Sequence, residues 1–194
     1  MASRQSVGRH PSVGTRGPVV GQGERTSIWL VRSGDAREFV EAAARSRRLH
    51  GRWAYPPTTP TQFRTYLARV GMGEDAGLLV RRSDTGALVG FVNLNNVLRG
   101  ALQSAHLGYA AFSPHQGRGY MSEGLRLVFG YAFDGLGLHR LEASIQPANT
   151  RSVALARAAG MALEGYSPRY LYIDGKWRDH EHWAITSEEW QECR

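Results

Sequence analysis

Between residues 77 and 136 the apolar pattern changes period once, and that change restricts the chain to few architectures. "GLLVRR", "ALVGFVNLNNV" and "SAHLGYAAFS" are apolar and rich in β-formers, and they read as three successive strands. Asp84, Thr85 and Gly86 form a short turn between the first two and "LRG" joins the last two, which predicts an antiparallel meander. Directly after it, apolar residues at 121, 125, 128, 129, 132, 133 and 136 follow helical spacing, with Gly135 and Gly137 ending the run. A meander followed by one long amphipathic helix requires the helix to cover the sheet.

The flanking segments extend that design. "TSIWLVR" predicts a first strand, and Asp35 a cap for a helix burying Phe39, Val40 and Ala43. Thr59 with Pro60 behind it opens a second helix, with Phe63, Tyr66, Leu67 and Val70 inward and Gly71 as its stop. "LHRLEASIQ" alternates as a strand, Asn149 caps "TRSVALARAAG", and "RYLYI" and "WRDHEHWAI" form a hairpin through Asp174 and Gly175. No internal repeat is visible. The expectation is an α+β fold, one mixed, mostly antiparallel twisted sheet flanked by helices. At 194 residues and 42% hydrophobic content the chain suits a single domain, here residues 25–194. Residues 1–24 carry glycines at 8, 14, 17, 21 and 23 and prolines at 11 and 18 with little apolar periodicity, and are expected to be a disordered tail.

Several classes of function drop out. No stretch approaches the ~20 consecutive apolar residues of a membrane span, and the N-terminus lacks a signal peptide's apolar segment, so a cytoplasmic location is expected. The only cysteine, Cys193, excludes an internal disulfide framework, a CxxC pair and a thiolate zinc site. "RDHEH" resembles a metal motif, but strand alternation sends His180 and His182 to one face and Asp179 and Glu181 to the other, and no metal is expected. The net charge of +7 comes from 24 basic residues of which only Lys176 is lysine, as a genome biased toward arginine codons would give. Such a surface attracts polyanions such as ribosomal RNA, or a nucleotide-bearing cofactor. The arginines at 45, 47, 48 and 52 read as a solvated helix face, with docking to an acidic or RNA surface as the alternative.

The chemistry concentrates in "PHQGRGYMSEGL", residues 114 to 125, which joins a strand end to the N-terminus of the long helix. Unpaired N–H groups and the helix dipole favour an anion there. Gly117 and Gly119 let the backbone approach phosphate oxygens, Arg118 adds charge and Ser122 a hydroxyl. A Walker loop would need Gly-Lys-Ser/Thr, and a dinucleotide fingerprint glycine at 122; neither is present. By itself the loop also reads as an ordinary strand-to-helix connection.

The segment from Gln116 to Met121, followed by Ser122 and Glu123, resembles the coenzyme A pyrophosphate loop of the GNAT acetyltransferases, with pattern Q/RxxGxG/A. Met121 departs from the glycine or alanine of the general pattern and marks a subgroup. "NTRSVALARAAGM", with Asn149, Ser152 and Gly160, is similar to the superfamily's NxxSxxLxxxxGF segment. "EGYSPRYLYIDGKWRDH" and "VLRGALQSAHLGY" resemble the RimJ-type ribosomal-protein-alanine N-acetyltransferases, and the likeness runs from about residue 26 to about 190.

The resemblance implies direct attack of an amine on the thioester of acetyl-CoA. It assigns the coenzyme cradle to Gln116, Gly117, Arg118, Gly119, Tyr120, Met121 and Ser122, the pantetheine edge to Ala111 and Phe112, and the oxyanion donor to a strand N–H near Ala111. One such donor is worth roughly 3 to 4 kcal/mol. Ser152 would protonate the leaving thiolate and Asn149 orient the coenzyme arm, both also counted among coenzyme contacts. Plain structure offers rival readings: Asn149 as an N-cap, Ser152 as a first-turn serine, Glu123 as a complement to the helix dipole. Asp179, His180 and Glu123 stay open as general base.

The implied acceptor is the N-terminal α-amine of an alanine- or serine-initiated protein, such as a ribosomal protein. An α-amine of pKa ~7.7 to 8 is roughly a tenth neutral at pH 7, whereas a lysine near ~10.4 is neutral to a few parts in ten thousand, so little base is needed. The alternatives are a ribosome- or RNA-associated binding module on this scaffold and a small-molecule amine acetyltransferase, such as one acting on an antibiotic.

Overall fold

The computed structural model describes residues 16–192, and the meander lies at the centre of its sheet. The strands are β1 (Val19–Gln22), β2 (Thr26–Leu30), β3 (Ala76–Arg82), β4 (Leu88–Leu98), β5 (Ser104–Ala111), β6 (Arg140–Ile145), β7 (Ala162–Ile173) and β8 (Lys176–Thr186). Their order is β1-β2-β3-β4-β5-β6-β8-β7, and every neighbouring pair is antiparallel except β5 with β6. The fold is the expected α+β arrangement, a mixed and mostly antiparallel sheet with helices on both faces.

Side-chain alternation sorts the core into two layers. On one face Ile28, Leu78, Val80, Leu107 and Leu141 meet Leu125, Val128 and Phe129 of α4 (Tyr120–Gly130) and Ala156 of α5 (Thr150–Ala159). On the other, Leu79 and Phe91 meet α1 (Ala36–Arg45) and α3 (Pro60–Val70). Phe39 centres that layer, its ring 5.2 to 5.5 Å from those of Phe63, Tyr66, Phe91 and Phe112. Thr59 caps α3 as its sequence predicts, accepting the Gln62 N–H at 3.2 Å.

Five elements depart from expectation. The segment read as a tail contains β1, which pairs with β2 through residues 19–22; its glycines hid a strand that the neighbouring backbone stabilises. Residues 1–15, the rest of that expected tail, lie outside the described residues. Asp35 stands at the start of α1 without capping it: Oδ1 accepts from buried Arg81 at 3.0 Å and Oδ2 from the Arg32 N–H at 2.8 Å. The long helix ends in a π turn (Tyr131–Gly135) closed by Leu136 N–H to Tyr131 O, 3.0 Å. Two short helices went unforeseen, α2 (Arg47–His50) and α6 (Ser187–Glu192), whose Trp190 stacks edge-on to Phe129.

One irregularity positions everything that follows. The parallel β5–β6 ladder stops after Ser104, Ala105 and His106, although both strands continue. Beyond His106 they part and leave a gap in the sheet.

Candidate active site

A side chain stands where the ladder ends. His106 Nε2 lies 3.2 Å from the Ser144 N–H and accepts it, taking a β6 donor that a continuing ladder would have used. Burial lowers the pKa of His106, opposed by Glu142 and reinforced by His182 and His180, which suits a neutral ring with Nε2 as acceptor. Within β5 the hydrogen-bonding direction alternates. Phe112 N–H donates to Val89 O at 2.6 Å, so Ala111, one residue earlier, turns its N–H away from β4 toward the gap. The expectation for Ala111 and Phe112 is corrected accordingly: Phe112 has its amide in the β4 pairing and its ring fully buried, and only Ala111 presents backbone to the opening.

The glycine loop lies at the end of β5 and starts α4. Gly119 is the N-cap, with φ +81° and ψ −9°, and Gly117 has φ +74°. The first helical bond runs from Glu123 N–H to Gly119 O at 3.1 Å, which leaves the N–H groups of Tyr120, Met121 and Ser122 outside the helix's own ladder. Gln116, Gly117, Arg118 and Gly119 are exposed, whereas Met121 buries its side chain and can offer only its amide. Cations gather here. Arg25 stacks 4.4 Å from the Tyr120 ring centre and donates to Arg118 O at 2.9 Å; Arg82 lies 5.2 Å from the same ring. His115 Nδ1 is buried without a partner among the described residues, and its pKa is lowered by burial first and then by Arg82, Arg118 and Arg45. Free donors, left-handed glycines and the charges of Arg25 and Arg118, which form no ion pair among the described residues, fit a diphosphate; Arg82 is paired with Asp84.

The second segment faces the first. Asn149 Oδ1 caps α5 by accepting the Ser152 N–H at 3.3 Å, so the capping role is real whatever else it does. Ser152 is half-buried and its hydroxyl has no hydrogen-bond partner among the described residues, while its carbonyl accepts the Tyr109 hydroxyl at 3.2 Å. Burial raises the Tyr109 pKa, which keeps that hydroxyl protonated. Ser122 Oγ reaches Ala158 O at 3.4 Å and ties α4 to α5.

Two base candidates are occupied elsewhere. Glu123 Oε1 accepts the N–H groups of Arg25 and Thr26, at 2.8 and 3.0 Å, and thereby anchors the β1–β2 turn to α4. Asp179 accepts from the Tyr166 hydroxyl and, at 2.8 Å, from the Arg169 N–H; the Tyr166 bond leads in lowering its pKa. His180 is buried, with Nδ1 donating to Arg178 O at 3.0 Å and a pKa lowered by desolvation. His180 and His182 both meet Tyr170 edge-on, while Glu181 turns to the Trp183 indole N–H at 2.9 Å. Among the described residues no group of histidines, cysteines and carboxylates could hold a metal, and no helix is long and apolar enough to cross a membrane.

On the α1–α3 side a cavity of about 700 Å³ opens between α2, α3 and the loop joining them. His50 connects it to the gap: this buried residue lines the cavity, and its Nε2 donates to Ala111 O at 2.8 Å. Burial lowers its pKa, opposed by that bond. The four clustered arginines are exposed as expected but share no single face, since Arg47 lines the cavity, Arg45 acts on His115 and Arg52 stacks on Trp53 at 4.5 Å. His50, His106 and Tyr109 carry no sequence signal, because each matters through a strand or helix distant in the chain.

The family model described as Acetyltransferase (GNAT) domain matches residues 25–162. Over 107 residues the chain is 38% identical to the "[Ribosomal protein uS5]-alanine N-acetyltransferase" of Escherichia coli (strain K12); the match covers 55% of each, so the chain spans about half the length of that relative. A structure of the ribosomal-protein-S5-alanine acetyltransferase from Vibrio fischeri superposes with TM-score 0.76 at 25% identity, covering 87% of this chain and 97% of that one. Mycobacterium smegmatis RimJ in complex with CoA-disulfide does so with TM-score 0.76 at 30% identity, covering 84% and 83%.

Proposed function

This chain belongs to the GNAT family of N-acetyltransferases, and from that premise we propose that it acetylates the free α-amine of a protein that begins with alanine or serine, a ribosomal protein among them, with acetyl-CoA as donor. The observation that carries the reading is the double role of Ala111: its N–H turns into the gap in the sheet, and its carbonyl is held by the His50 that lines the cavity beyond. A donor entering from the α4–α5 face and an acceptor entering from the cavity meet at that residue.

Acetyl-CoA supplies an activated acyl thioester, and the chain's residues do the rest. The N–H groups at Gln116 to Ser122 with Arg118 would hold its diphosphate, in keeping with the left-handed glycines and unpaired donors there. The Ala111 N–H would stabilise negative charge developing on the thioester oxygen. As the amine nitrogen bonds to the carbonyl carbon and the C–S bond breaks, the amine loses one proton and the departing thiolate takes one. Ser152, with its uncommitted hydroxyl, would supply the latter, and Asn149 fixes the turn that presents it. Ser152→Ala should lower kcat by about ten- to a thousandfold with little change in coenzyme affinity. Full activity in Ser152→Ala together with a large loss in Tyr109→Phe would transfer the role to the neighbouring phenol.

The substrate class is tested with two peptides, one with a free N-terminal alanine and no lysine, the other blocked at its N-terminus with one lysine. The free peptide should react at least about tenfold faster near pH 7, because far more of its amine is neutral. Its rate should climb through pH ~7 to 8 and then level, following that amine's deprotonation. Equal or faster acetylation of the blocked peptide would overturn the α-amine assignment.

A further inference from the structure

Resting on the acceptor side of that reading, we propose that the cavity selects its substrate by charge, with Arg47 and Arg69 as specificity-determining residues that favour acceptors bearing carboxylates close to the reacting amine and disfavour polycations. Both residues line the cavity. Arg69 donates to Asn95 Oδ1 at 2.7 Å and lies 5.8 Å from the Tyr66 ring centre; Arg47 makes only a long contact of 3.4 Å to Thr58 Oγ1. Neither forms an ion pair among the described residues, in contrast to Arg81, Arg82, Arg99 and Arg140, each of which has a carboxylate partner.

Among the described residues no aspartate or glutamate lines the cavity. Asp174 of the β7–β8 turn approaches through Tyr55, whose hydroxyl donates to it, but Asp174 is not itself part of the lining. The walls add Ala43, Ala54, Pro56 and Pro57, which screen charge poorly and concentrate the field of the two arginines. A polyamine placed here would meet two cations and no carboxylate in the walls. An N-terminal segment with glutamate or aspartate at its second and third positions would meet two guanidiniums without a carboxylate partner among the described residues, each with N–H groups left to form charge-assisted bonds.

Each exposed charge pair contributes roughly two- to fivefold, so two together predict about a tenfold preference. The test uses the full chain loaded with CoA or acetyl-CoA and peptides that differ only at positions two and three, Glu-Glu against Arg-Arg. Each is prepared with a free N-terminus, and again with a blocked N-terminus and one lysine. Binding of both and kcat/KM should favour the acidic member by about tenfold at low salt, and the preference should shrink at ~0.5 M salt, where screening is short-ranged. R47Q with R69Q should bring the ratio to about one through KM, and each single change part of the way. A ratio at or below one in the native chain, or one preserved in the folded double variant, overturns the proposal. Because the ratio is read on whichever amine reacts, and in binding besides, failure of the α-amine assignment is distinguishable from failure of charge selection.

Discussion

Gly119→Val is expected to lower acetyl-CoA affinity by at least about a hundredfold, the loss of two charge-assisted hydrogen bonds. At φ +81° a β-branched residue is strained, and relief of that strain would re-aim the free N–H groups of Tyr120, Met121 and Ser122. A Cβ at this position would also sit 3.5 Å from Arg25 Nη1, and that guanidinium braces Arg118 O and stacks on Tyr120. Both effects act on the same few donors, whereas the exposed position leaves the core untouched. Gly119→Asn, which tolerates a left-handed backbone, should retain more affinity than the valine variant and so separate strain from obstruction. Calorimetric titration with the coenzyme, beside a melting curve to verify folding, measures this. Native affinity in a folded Gly119→Val protein would remove the loop from the coenzyme site.

Asp35→Ala should cost about 3 to 5 kcal/mol of stability, since it leaves a buried guanidinium short of its partner. The side chains of Arg81 and Asp35 are 1% and 2% exposed at a separation of 3.0 Å, so water cannot replace the lost carboxylate. Glu38 stays 2.8 Å from the other Arg81 nitrogen, which places the cost toward the lower end, although at 37% exposure it is screened and compensates only in part. The Arg32 N–H loses its acceptor as well. Urea denaturation would register the change as a lower midpoint with an unchanged slope. Replacing both partners by apolar residues, Asp35→Leu with Arg81→Met, should recover much of the loss, since it removes the charge along with its partner. A cost under about 1 kcal/mol for Asp35→Ala would mean that the arginine finds water or another carboxylate.

Asp35 also shows where sequence reasoning reaches its limit. Its position before an amphipathic run is legible as a helix start, and the helix is there. The carboxylate's partner is 46 residues away and becomes a partner only when β3 packs on α1. Long periodic segments such as α3, α4 and the meander were legible because their own side chains define the buried face. β1 was not, because Gly21 lies inside it and Gly23 directly follows it, and its stability comes from pairing. The glycine loop could be found by composition alone. The exclusion of Phe112 was available in principle, since a strand with Ala111 toward the gap must turn the next amide back, but the phase of the alternation requires the partner strand. The cavity beside His50 is made by three separate segments and leaves no pattern in any one of them.

The parallel ladder between β5 and β6 is stopped rather than merely short. Two adjacent strands with free amides tend to zip together, and a sheet that closed past His106 would pair away backbone groups of β5 between His106 and Tyr109 and narrow the approach to Ala111. The imidazole acts as a zipper stop: it satisfies the Ser144 donor from the side and removes the incentive for β6 to recruit more of β5. That contact needs a neutral ring, since an imidazolium has no lone pair to give. Aperture and catalysis thus occupy different residues, and the first can be altered by substitution at His106 without touching any group that would meet the acetyl donor.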